Sequence, residues 1–187
     1  LPISEMNTKK TSEKKIGRVP ALLVVQSFQE AFLCTISAEH YENGGSPQVH
    51  FSGGVVVAPE VVHHIDVVVV PLVASICRLL GVSASHWDIV IESIEAAAAC
   101  ETPLSMSGNS ADLSLFLVLL SSALQLPLRQ DAVATGLFTS AAGSIGAVGR
   151  VPEKLRAAMA DSRINLFLHP PFGVDKSMDS LAPDEYS

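Results

Sequence analysis

Basic charge is in short supply in this sequence. Twelve Lys and Arg stand against nineteen Asp and Glu over 187 residues, a net charge of −7. Binding nucleic acid by neutralising phosphates needs a basic face, so that class of partner is not expected. Lysine is unevenly placed as well: Lys9, Lys10, Lys14 and Lys15 crowd the start, Lys176 lies near the end, and only Lys154 stands between them. Cysteine is sparser still. Cys34, Cys77 and Cys100 are an odd number with no C-x-x-C spacing, which excludes a disulfide framework and a zinc knuckle and leaves buried apolar thiols in a reducing compartment. A cytoplasmic location is the matching expectation.

Long uninterrupted apolar runs are missing too. Val67–Val82 is broken by Pro71 and Arg78, and Leu113–Leu128 by Ser114, Ser121, Ser122 and Gln125. Both fall short of the roughly 18–20 apolar residues that span a bilayer, so they read as buried core helices and no membrane partner is expected. The first residues put charge before any apolar run, unlike a signal peptide, and the chain begins with Leu, which points to a fragment or a processed product. Six histidines include no H-E-x-x-H, and adjacent His63 and His64 face different ways on a helix or a strand, so no metal site is expected. Gly143–Gly149 is glycine-rich without a Walker lysine-serine pair or a strand-then-helix dinucleotide setting, and no G-x-S-x-G elbow occurs; cofactors are therefore not expected.

What is present is a globular composition, 48% hydrophobic and 17% charged. Residues 1–17 are polar, charged and aperiodic, and read as a flexible linker or arm; residues 18–172 form one compact unit; residues 173–187 are an acidic C-terminal tail. Within the unit, Ala21–Gln26, Ala31–Ser37, Gln48–Ser52, Asp88–Ile94, Ala132–Phe138, Ser144–Gly149 and Ile164–His169 read as strands. Helices are expected from Asp66 as cap through Leu80, from Ser110 to Gln125, and from Pro152 through Met159. Strands and helices are mixed without regular alternation, an α+β pattern. Trp87 is expected in a polar connection, as a packing anchor.

Two short segments carry chemistry. In Ser107-Gly108-Asn109-Ser110-Ala111-Asp112 a loop runs directly into an apolar helix, placing Ser110 where the first N–H groups lack partners and the macrodipole is positive. An oxyanion formed by attack of Ser110 on a carbonyl is stabilised at such a spot; an ordinary N-cap serine has the same setting. Serine needs a base, and a lysine serves if burial keeps it neutral. Lys154, in Arg150-Val151-Pro152-Glu153-Lys154, is the only lysine of the core and so the only candidate, against the plainer reading of an exposed helix lysine.

These residues, from Gly108 to Ala158, resemble the proteolytic domain of the Lon protease family. Its nucleophile motif Pro-Ser-Ala-Gly is matched by Asn109-Ser110-Ala111-Asp112, its Thr-Gly-Glu by Thr135-Gly136-Leu137, and its Gly-Gly-x-x-Glu-Lys by Val148-Gly149-Arg150-Val151-Pro152-Glu153-Lys154. The resemblance implies a Lon-type α+β fold and a serine endopeptidase with Ser110 as nucleophile and Lys154 as base. It further implies Thr135 as a hydroxyl orienting the amine, and an oxyanion hole from the backbone around Asn109, Ser110 and Ala111. Polypeptide substrates are implied, with assembly into a homo-oligomeric ring such as a hexamer and any ATPase module outside this segment. The departures are Asn109 for proline, Asp112 for glycine and Leu137 for glutamate. Asp112 suits the helix dipole, but near the lysine it would raise the amine pKa and oppose a neutral base. Gly108-Asn109-Ser110, with a non-acidic residue after Thr135-Gly136, is also similar to the birnavirus polyprotein proteases. The alternative is a catalytically inactive Lon-like module for assembly or substrate holding.

Overall fold

The computed structural model describes residues 13–25, 30–42, 44–93 and 104–171. Cys100, the end of the expected strand Asp88–Ile94, and the tail 173–187 lie outside the described residues, as do residues 1–12 of the expected arm.

Along the chain the strands are β1 (Lys14–Lys15), β2 (Arg18–Val25), β3 (Glu30–Tyr41), β4 (Gln48–Gly53), β5 (Val55–Val57), β6 (His86–Glu92) and β7 (Leu104–Met106). They continue as β8 (Leu128–Arg129), β9 (Ala132–Ala134), β10 (Leu137–Phe138), β11 (Ile145–Gly146) and β12 (Leu166–Leu168). The helices are α1 (Pro59–Leu79), α2 (Asp112–Leu124) and α3 (Val151–Ala160). The architecture is α+β, built on a six-stranded mixed sheet in the order β12-β9-β2-β3-β6-β4. β2, β3 and β6 pair antiparallel, whereas β9 runs parallel to β2 and β12, and β4 parallel to β6. Last in the arm, β1 pairs with β8.

Alternation explains how this sheet is covered. Cys34, Ile36 and Ala38 of β3 and Trp87, Ile89 and Ile91 of β6 are buried at every second position, because successive side chains point to opposite faces. They join Val61, Ile65, Val69, Val70, Val73 and Cys77 of α1 and Leu115, Val118 and Leu119 of α2 in the main core. Leu22 and Leu33 point the other way, into a smaller cluster with Val133 and Ala158 of α3. Helices thus lie on both faces, α1 and α2 on one and α3 on the other. Trp87 is a strand residue rather than part of a connection, fully buried, with its indole N–H donating to the Leu119 carbonyl.

Helix α1 begins at Pro59, well before the expected Asp66 cap, so Asp66 lies inside it. Its middle, Ile65–Val69, is a π-turn in which the Val70 N–H reaches the Ile65 carbonyl. Pro71 follows directly. A proline ring has no N–H to offer and clashes with the preceding turn, and the wider π-turn relieves both. By length and composition alone the 21-residue α1, with a mean hydropathy of 1.7 over its most apolar 18-residue stretch, is long and apolar enough to cross a membrane. One face of the helix is nonetheless buried on the sheet, as in a core helix.

The expected strand Ala132–Phe138 divides at Thr135-Gly136 into β9 and β10, and Ser144–Gly149 keeps only the two residues of β11. The chain leaves β9 at Thr135, whose hydroxyl meets Lys154 of α3 and the Ser110 carbonyl just ahead of α2.

Candidate active site

Helix α2 opens with a 3-10 turn, Asn109–Ala111, preceded by the extended Gly108. Its opening N–H groups therefore have no acceptor within the helix. At its far end Gln125 takes a left-handed conformation (φ 53°) ahead of Pro127, which cannot continue a helix. Helix α3 starts after Arg150, also left-handed (φ 60°), with Pro152 in its first turn, where a missing N–H costs nothing. These two helix starts bring Ser110 and Lys154 to one cleft of about 610 Å³. Leu22, Leu23 and Val24 of β2, Asn109, Ala111, Leu137 and Ala147–Arg150 also line it.

Lys154 is 1% exposed, so the reading of a surface lysine is excluded. Its amine donates to the Thr135 hydroxyl at 2.9 Å, and that hydroxyl donates in turn to the Ser110 carbonyl oxygen at 3.0 Å. The hydrogen bond of the amine goes to Thr135 rather than directly to the Ser110 hydroxyl, and Thr135 is the link between the two residues. Burial lowers the Lys154 pKa from 10.5 to about 8, because removing water penalises the ammonium; the neighbouring Glu153 carboxylate acts in the opposite sense. Glu153 is itself held by the Arg150 guanidinium at 3.1 Å.

The Ser110 turn is stitched to the strand break. Gly136 donates its N–H to the Ser110 carbonyl at 2.9 Å and accepts from the Leu113 N–H at 3.2 Å. A Cβ on Gly136 would stand 3.2 Å from the Leu113 Cβ, so glycine permits this close approach. Thr135 is 1% exposed. Asn109 and Ala111 flank Ser110 on the cleft wall, where the Asn109 side-chain oxygen is buried without a hydrogen-bond partner.

Asp112, the most conspicuous departure from the Lon motif, does not turn toward the lysine. It is fully buried, and its Oδ2 accepts from the Phe138 N–H at 2.9 Å and lies 2.8 Å from His64 Nε2. Burial raises the Asp112 pKa, while the Phe138 N–H and His64 hold it down. His63 is exposed and His64 faces inward, the divergence expected of adjacent helical residues. Nothing in the sequence pointed to His64, which stands 48 residues from its partner. The cleft-lining residues of β2 were equally hidden, since an apolar strand residue looks the same in a core and in a cleft wall.

Among the described residues no group of three or more His, Cys, Asp and Glu is arranged to hold a metal. No protein-family model and no curated protein matches this chain.

Proposed function

We propose that the chain is a serine endopeptidase domain of Lon type, with Ser110 as nucleophile and Lys154 as general base. The observation that carries this reading is the buried Lys154 amine, held by Thr135 in a cleft that Ser110 also lines. A lysine with a pKa of about 8 is neutral in roughly a tenth of molecules at pH 7, against about one in three thousand for an ordinary lysine. The neutral amine donates one hydrogen to Thr135 and keeps its lone pair for the proton of Ser110 Oγ.

In the reaction this implies, Oγ adds to the scissile carbonyl as Lys154 takes its proton. The oxyanion forms beside the helix-opening N–H groups around Asn109, Ser110 and Ala111, at the positive end of α2. Lys154 then passes the proton to the departing amine, leaving an acyl-Ser110 ester. It next deprotonates a water that attacks the ester and returns the proton to Oγ. The apolar walls of Leu22, Val24, Leu137 and Val148 favour a polypeptide segment with apolar side chains, and they exclude water from the charged transition state. A ring of several copies, and an ATPase module elsewhere in a longer protein, are part of the same proposal.

The test combines cleavage of an unfolded protein with labelling by a fluorophosphonate, read by intact mass. One adduct on Ser110, with cleavage abolished by Ser110→Ala and by Lys154→Ala, is the expected result. Cleavage that survives both substitutions rules the dyad out. A wild-type protein that neither cleaves nor labels leaves the holding module as the reading.

A further inference from the structure

His64 has no part in the chemistry just described, yet it is tied to the nucleophile's helix by the shortest side-chain contact near the site. One oxygen of Asp112 serves three segments at once. Asp112 opens α2, two residues after Ser110; the Phe138 N–H that donates to it belongs to β10, just beyond Thr135-Gly136; and His64 reaches it from α1. Gly136 and Thr135 bind the other side of the same junction through the Ser110 carbonyl. The Ser110 turn and the Thr135–Phe138 segment are therefore fastened at both ends, and the lysine's partner, Thr135, belongs to one of the two fastenings.

The fastening at Asp112 depends on a third party. Its Oδ1 is buried with no hydrogen-bond partner, so a lone Phe138 N–H leaves a fully buried carboxylate poorly compensated. His64 Nε2 gives the same Oδ2 a second partner at 2.8 Å while Oδ1 keeps none, so among the described residues His64 is the one side chain that meets this carboxyl group. The next residue, Ile65, is fully buried in the main core and begins the π-turn of α1. At 19% exposure the imidazole sits at the margin of the core, where exchanging it removes little packing.

From this juxtaposition we propose that His64 is a positioning residue of the peptidase site: acting through Asp112, it holds the Ser110 turn in register with Thr135 and Lys154. The inference rests on the peptidase reading and adds to it a residue outside the Lon-like motifs. His64 touches neither substrate nor the reacting atoms, so its loss lowers the rate at Ser110 and leaves substrate binding in the cleft unchanged.

The experiment compares His64→Gln with His64→Asn in the whole chain. Both are neutral amides, but only glutamine places a side-chain N–H where Nε2 stood. The rate of fluorophosphonate labelling at Ser110 and the kcat and KM for a peptide substrate are measured for each. His64→Asn is expected to lose on the order of 10- to 100-fold in labelling rate and kcat, as small displacements of a reacting group do. KM should stay within about twofold, while His64→Gln stays within about threefold of wild type in rate. Asp112→Asn should show a similar loss, and adding His64→Asn to it should cost little more, because both act on one contact. Equal rates in the two His64 variants, whether both retained or both lost, overturn the proposal. So does a rise in KM with kcat unchanged, or a double variant whose losses multiply. A wild-type chain that is not labelled at Ser110 removes the peptidase reading and this inference with it; a labelled wild type with an unimpaired His64→Asn removes this inference alone.

Discussion

Replacing Lys154 by Met should stabilise the protein while abolishing its activity. The folded-state pKa of Lys154 is lowered from 10.5 to about 8, so the unfolded chain holds that proton more tightly. Between those two values the unfolded state binds more protons, and stability rises with pH. Below about pH 8 the whole cost of burying the ammonium is present. At roughly 1.4 kcal/mol per pH unit, the interval amounts to about 3 kcal/mol. Methionine matches the lysine stem in length and carries no charge. It loses the hydrogen bond to Thr135, worth about 1 kcal/mol, but Thr135 still donates to the Ser110 carbonyl and is not orphaned. The net expectation at pH 7 is a gain of about 2 kcal/mol, or roughly 4–8 °C in Tm for a chain of this size. Urea unfolding of both proteins at pH 7, 8.5 and 10 measures it, and groups common to both cancel in the difference. The advantage of Lys154→Met should shrink as pH rises and be nearly gone at pH 10. A variant no more stable than wild type at pH 7, or a gap that does not change with pH, would show that the amine is charged and solvated in the folded protein.

Activity should follow the same ionisation: labelling of Ser110 should rise about tenfold from pH 7 to pH 9 with a midpoint near 8, and a profile flat over that range would exclude Lys154 as the base. Thr135→Val removes both the acceptor for the lysine amine and the donor to the Ser110 carbonyl; kcat should fall by about 10²-fold and stability by about 1–3 kcal/mol, measured by peptide turnover and urea unfolding. Gly17 has a φ of +60°, and a Cβ there would stand 2.4 Å from the Ala38 carbonyl oxygen, so Gly17→Ala should cost upwards of about 1 kcal/mol in urea unfolding despite its distance from the site. The Cys34 thiol, pushed up to about 12 by burial, should resist alkylation in the native protein at pH 8 and react only on unfolding, as read by mass spectrometry with iodoacetamide.

The local elements that carry the site are legible in the order of residues alone. A polar loop ending in Gly108-Asn109 before an apolar run, and Pro127 beyond it, bound α2, and Pro152 placed the start of α3. Runs rich in β-branched and aromatic residues marked the middle of β3 and most of β6, because strand propensity is written in consecutive residues. Where local signals competed, they misled: four valines and Asp66 suggested a helix start that lies at Pro59, and Trp87 beside His86 was taken from a strand into a connection. The solitary Lys154 could be picked out by counting, but its burial could not, since that depends on α3 packing against the far face of the sheet and on Thr135 leaving β9 beneath it. Only the tertiary structure turned Asp112 away from the lysine and gave it His64. Periodicity and capping act over a few residues, whereas the environment of a buried charge is made by segments that meet only when the sheet is covered on both faces.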